Sequence, residues 1–221
     1  MTTHLPHRKQ VRHFHEPSDI HELTFSCYRR MPILTNNAWR SQLSRCIDEA
    51  CEQLNCCLAA FVYMPEHVHL LVWGFQAKEQ VSEFLSRVKR PLSSMVRADL
   101  EASSSRLLQR LMVRERPGKM AFRYWQEGPG FDRNLFTVKA VQASLDYIHT
   151  SPVKRGLCVS ACDWRWSSAR YYASDGQERD ELLPKIVPLP AEFWMHARRL
   201  VRVPLALPVR SGLRVSISER L

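Results

Sequence analysis

Two apolar runs, Cys57–Met64 (CLAAFVYM) and His67–Trp73 (HVHLLVW), are separated only by Pro65 and Glu66. Both read as buried strands, bounded by Pro and Gly and carrying Val, Phe and Tyr. So short an interruption leaves room for a tight connection or a bulge and little else. The two strands are therefore neighbours in one sheet, and Gly74 ends the second.

The flanking sequence supplies the other elements. His21–Tyr28 (HELTFSCY) alternates and suits a strand. Asn36 or Asn37 can cap a helix running to about Leu54, with Leu43, Ile47, Ala50, Cys51 and Leu54 at helical spacing. A second helix spans Glu79–Leu100, with Val81, Phe84, Leu85 and Val88 on one face, and Pro91 is expected to kink or divide it. Ser103–Lys119 reads as a short helix and loop, and Phe122–Gln126 as another strand. After the loop at Gly128–Gly130, a helix from about Phe136 to Thr150 is expected to stop at Pro152. This order specifies an α+β fold: a ferredoxin-like βαββαβ sheet with helices on one side, then a helix bearing Tyr147 and an irregular basic C-terminal extension.

Lys and Arg exceed Asp and Glu by enough to leave a formal charge of +10, which favours polyanionic partners and nucleic acid first among them. Apolar runs such as Leu70–Trp73 are too short to span a bilayer, and residues 1–19 contain no apolar signal segment. The expectation is a cytoplasmic monomer or homodimer with no membrane partner. The 7 cysteines include no C-x-x-C pair, so they read as reduced, packed thiols rather than a structural zinc site.

His67 and His69 alternate with Val68, Leu70 and Val72 on a strand, so both imidazoles leave the same face. Two imidazoles side by side on a rigid strand can hold one divalent ion. An ordinary packed histidine pair is the competing reading. Tyr147 lies about 140° from the apolar stripe of its own helix (Val138, Val141, Leu145, Ile148), on a face of small residues including Ala140, Ala143 and Ser144. It either packs on a neighbour or meets a phosphate. A phenol ionises near pH 10 in water, so as a nucleophile it needs a cation or base beside it. The histidine pair and the tyrosine make chemical sense together.

The segments MPEHVHLLVWG, WQEGPGFDRNL, DYIHTSPVKRGL and DWRWSSARYY, in that order, resemble the REP-associated tyrosine transposases of the single-tyrosine HUH superfamily. The resemblance covers roughly residues 18–173. It implies an HUH catalytic domain, a divalent metal (Mg²⁺ or Mn²⁺) on His67 and His69, and single-stranded or hairpin DNA as partner. It also implies Tyr147 as the nucleophile, joined to a 5′ phosphate and leaving a free 3′ hydroxyl. Relatives often carry Asn before the proline in YIH-x-N-P. This chain has Ser151 there, a poorer donor and the candidate third ligand. The domain organisation that follows is a flexible basic arm at 1–17, a catalytic domain at 18–175 and a Pro/Arg-rich extension at 176–221, with one short helix around Glu192–Arg202.

Arg87, Lys89, Arg90, Arg133, Lys154 and Arg155 are candidate phosphate contacts. Trp125, Trp164 and Trp166 either stack unpaired bases or pack the core. The leading function is metal-dependent cleavage and rejoining of DNA through phosphotyrosine. Two alternatives are a non-cleaving hairpin-binding module on the same fold, and a hydrolase that activates water.

Overall fold

The computed structural model describes residues 20–77, 79–128 and 130–194. The predicted N-terminal arm and most of the predicted helix at 192–202 lie outside the described residues. The chain divides into two compact units, Met1–Leu189 and Pro190–Leu221. In the second, residues 191–194 are helical.

The first unit is built on strands β1 (Ile20–Ser26), β2 (Cys57–Tyr63), β3 (His67–Trp73) and β6 (Phe131–Leu135), in the order β2-β3-β1-β6, every neighbour antiparallel. Between β1 and β2 runs α1 (Asn37–Leu54). Asn36 caps it, its side-chain oxygen accepting from the Ala38 and Trp39 amides, and left-handed Asn55 closes it. Helix α2 (Glu79–Ala102) follows β3. Pro91 does not divide it. Pro91 and Arg87, whose carbonyl loses its helical donor, both lie on the exposed side, while Val81, Phe84, Leu85, Val88, Leu92, Val96 and Leu100 form an unbroken buried stripe. Both helices pack on the face that carries Leu23, Phe25, Val68, Leu70 and Val72.

The fourth strand of the sheet is not Phe122–Gln126. Helix α3 (Arg106–Leu111) and a separate hairpin, β4 (Met112–Arg116) with β5 (Lys119–Phe122), come first, and β6 (Phe131–Leu135) then pairs with β1. Phe122 ends the hairpin. Tyr124 and Trp125 are both buried as an aromatic plug across the end of β1, and only Trp125 makes a bridge there, to Cys27. Gly130 shows why β6 starts where it does. Its φ is +82°, and a Cβ would stand 2.3 Å from the Thr24 carbonyl oxygen, so only glycine passes β1 this closely. The polar alternation of FDRNL hid this edge strand from a hydrophobic reading.

The last long helix, α4 (Val138–Lys154), packs against β2 and β3. It meets the sheet on the face opposite α1 and α2, since its tyrosine contacts His69, which points away from Val68 and Leu70. Pro152 does not stop it at Thr150. The helix runs to Lys154 and ends in a Schellman motif, with the Gly156 amide on the Val153 carbonyl and the Leu157 amide on that of Pro152. Thr150 and Ser151 hydroxyls donate to the carbonyls four residues back, which ties the last turn together despite the proline.

The segment DWRWSSARYY, which ends in the short helix α5 (Ala169–Ala173), covers the free edge of β2. The Tyr63 amide donates to the Trp166 carbonyl and the Ser168 amide to the Phe61 carbonyl, so the edge is sealed against other strands. Trp125 and Trp166 are core residues, and half-buried Trp164 donates its indole N–H to the Tyr63 carbonyl. Residues 177–189 hold no helix or strand. They are tied to the body by the Arg165–Asp180 ion pair, the Lys185 amide on Asp48 and the Val187 amide on the Leu58 carbonyl. All 7 cysteines are free thiols. Among the described residues no helix is long and apolar enough to cross a membrane.

Candidate active site

Strand β3 carries the site because of its register. Pairing sets His69 opposite Thr24 on one side and Val62 on the other, and sets His67 opposite Ser26. Alternation then sends both imidazoles off the face away from the main core. Their Nε2 atoms face each other at 2.9 Å. The Nδ1 atoms have their own partners: Thr24 Oγ1 lies 2.7 Å from that of His69, and Glu66 Oε1 lies 3.2 Å from that of His67. Burial holds the His67 ring below its usual value, with Glu66 opposing, and burial and the neighbouring His67 push His69 down to about 3. Both rings are therefore neutral at pH 7 and keep a lone pair.

This donor set fits one divalent cation. Two nitrogens each about 2.1 Å from an ion and at right angles to it lie about 3.0 Å apart, close to the observed separation. With Nδ1–H donated to Thr24 and Glu66, each Nε2 lone pair is left for the ion, which is how ligating histidines are normally oriented. Among the described residues no group of three or more His, Cys, Asp or Glu is placed to hold a metal.

Helix α4 brings Tyr147 to this pair. Its ring meets that of His69 edge-to-face, centroids 5.2 Å apart, and it remains 46 % exposed. Lys154, two turns on, places its ammonium 5.5 Å from the centre of the same ring. Arg155, at the C-cap, reaches Glu66 with Nη1 2.6 Å from Oε1. Ser151 is buried, and its hydroxyl donates to the Tyr147 carbonyl at 2.6 Å. His149 points elsewhere: Nε2 lies 2.9 Å from Ser168 Oγ, its ring packs on Tyr172, and burial pushes its pKa down to about 4.

The remaining candidates stand on α2 and β6. Arg87 is held by Glu83 at 2.6 Å and by Gln53. Arg133 pairs with buried Glu22 across β6 and β1. Lys89 is half-buried, its ammonium 5.0 Å from the Phe25 ring centre and donating to the Gly128 carbonyl, and burial lowers its pKa to about 8. Arg90 is exposed. Sequence reasoning missed Thr24 and Glu66. Thr24 was invisible without the strand register; Glu66 stood beside the motif and was read only as part of the turn.

Residues 18–113 match the family model described as "Transposase IS200 like". No curated protein matches the chain. A REP-associated tyrosine transposase solved bound to a REP hairpin superposes with a TM-score of 0.57 at 17 % identity, covering 83 % of this chain and 96 % of that one. A crystal structure of a "putative transposase" from Deinococcus radiodurans, also 17 % identical and covering 63 % of this chain and 93 % of that one, has a TM-score of 0.38. The family match contains both histidines and ends before Tyr147. Residues 18–113 are thus similar to the IS200-like transposases, and the chain has the fold of a REP-associated tyrosine transposase.

Proposed function

We propose that this protein cleaves and rejoins single-stranded DNA at hairpin-forming repeats, through a 5′-phosphotyrosine on Tyr147. The supporting observation is the meeting of the Tyr147 ring with His69, itself 2.9 Å from His67 between Nε2 atoms. The phenol oxygen attacks the phosphorus, and the bond from phosphorus to the 3′ oxygen breaks. The phenol proton goes to solvent and the departing 3′ oxygen takes one up. One strand then carries a free 3′ hydroxyl and the other is joined through its 5′ phosphate to Tyr147. In reverse, a 3′ hydroxyl displaces the phenol, so rejoining requires no nucleotide cofactor. A divalent ion on His67 and His69, Mg²⁺ or Mn²⁺, supplies charge stabilisation at the reacting phosphate. Lys154 adds positive charge beside the nucleophile, where negative charge develops. Arg87, Arg90 and Arg133, whose side chains reach solvent, neutralise the backbone farther out, which makes binding salt-dependent, while half-buried Lys89 stays with Phe25 and Gly128.

Incubation with Mg²⁺ or Mn²⁺ and a labelled single-stranded DNA carrying a hairpin, followed by a denaturing gel, tests this. A covalent protein–DNA band is expected, absent in Tyr147→Phe and lost in His69→Ala or with chelator. Tight hairpin binding without an adduct in either metal would instead support a non-cleaving module. Cleavage that survives Tyr147→Phe would assign the reaction to activated water.

A further inference from the structure

Arg155 is an exposed cation at the mouth of the site, and by charge alone it would be counted as a phosphate contact. Its partner argues otherwise. The Glu66 carboxylate is largely buried, with a side chain 11 % exposed, and a single oxygen of it takes both Arg155 Nη1 at 2.6 Å and His67 Nδ1 at 3.2 Å. Glu66 is itself fixed: its carbonyl accepts from the Cys27 amide, and in the same turn Met64 donates its amide to the His67 carbonyl while the Pro65 carbonyl accepts from Leu34. Arg155 is the C-cap of the tyrosine helix, and its own amide donates to the Ser151 carbonyl. One rigid carboxylate thus touches the histidine strand and the end of the nucleophile's helix at once. The second tie on that helix, His149 to Ser168, leads to the β2 edge and not to the histidine strand.

We propose that Glu66 is the positioning residue of the centre: it orients the His67 ring and, through Arg155, sets the tyrosine helix against the histidine strand. This rests on the proposed function for its consequence in catalysis, but its physical content can be measured without DNA. Removing the outer partner of a ligating histidine commonly weakens metal binding about 10-fold or more. Arg155 is hydrogen-bonded to Glu66 and reaches His67 only through its charge, which opposes a cation there, so its loss does not weaken metal binding in this way.

The test uses the full chain as parent, Glu66→Gln, Arg155→Ala and the double variant, each first shown to melt cooperatively. Mn²⁺ titration by calorimetry is expected to give about a 10-fold weaker Kd for Glu66→Gln and a change under about twofold for Arg155→Ala. Amide exchange over residues 148–157 is expected to rise in both single variants, with the double variant no faster than the faster single one. With hairpin DNA, both are expected to lower the adduct rate at saturating DNA about 10-fold while leaving the Kd within about twofold. Unchanged Mn²⁺ affinity in Glu66→Gln would overturn the proposal. So would multiplying exchange effects, or a loss in Arg155→Ala that resides in the DNA Kd. A parent that forms no adduct would sink the proposed function alone, because the Mn²⁺ and exchange measurements still decide the role of Glu66.

Discussion

The two halves of the site are held in different ways. His67 and His69 stand on a central strand whose neighbours Val68, Leu70 and Val72 are fully buried and hydrogen-bonded on both sides. Tyr147 stands on a helix laid over the sheet face to which both histidines point. It is nearly half exposed, its helix contains a proline, and side-chain ties at His149 and Arg155 fix the last turns. The difference shows a division of labour. Under the proposed function, ligands that tolerate little displacement are built into the sheet, and a nucleophile that a nucleic acid must reach is carried on a surface helix.

The comparison breaks most readily at the strand. Leu70→Ala removes a fully buried side chain next to His69 and is expected to cost about 3 kcal/mol in a urea unfolding titration. A loss below about 1 kcal/mol would mean that the strand is loosely packed around Leu70.

Acid sharpens the other side. His149 ties α4 to Ser168 while neutral, with a folded pKa of about 4 against an unfolded value near 6.5. The folded pKa is the lower one, so the unfolded chain binds the proton more readily. This contribution is complete above pH 6.5 and is lost as pH falls toward 4. The loss is at most about 3 kcal/mol for this group, and His149→Gln should flatten that part of the profile of unfolding midpoint against pH.

The smallest effect concerns Ser151. Its hydroxyl donates to the Tyr147 carbonyl, so Ser151→Ala is expected to cost about 1 kcal/mol of stability and to move Mn²⁺ affinity by less than about twofold. A tenfold loss of affinity would place Ser151 among the ligands and make the helix part of the metal site.

Local pattern was enough for much of this molecule. The apolar runs around Pro65 and Glu66 determined β2 and β3, and the His-x-His alternation within the second determined that both rings share a face, because side chains on a strand repeat every two residues. The offset of Tyr147 from the apolar stripe of α4 likewise announced its exposure. Pro91 leaves α2 undivided and Pro152 leaves α4 running to Lys154, because a proline's cost depends on whether its lost hydrogen bond can be compensated, and that is a property of the surroundings. The fourth strand was misplaced because an edge strand with polar alternation has no strong local signal, whereas the aromatic pair Tyr124–Trp125 imitates one. Only tertiary structure decided that Thr24 stands behind His69, that Glu66 links His67 to Arg155, and that α4 lies on the face the histidines point to. Those are contacts between residues distant in sequence, set by strand register and by how the chain crosses the sheet, and no periodicity within a single segment encodes them.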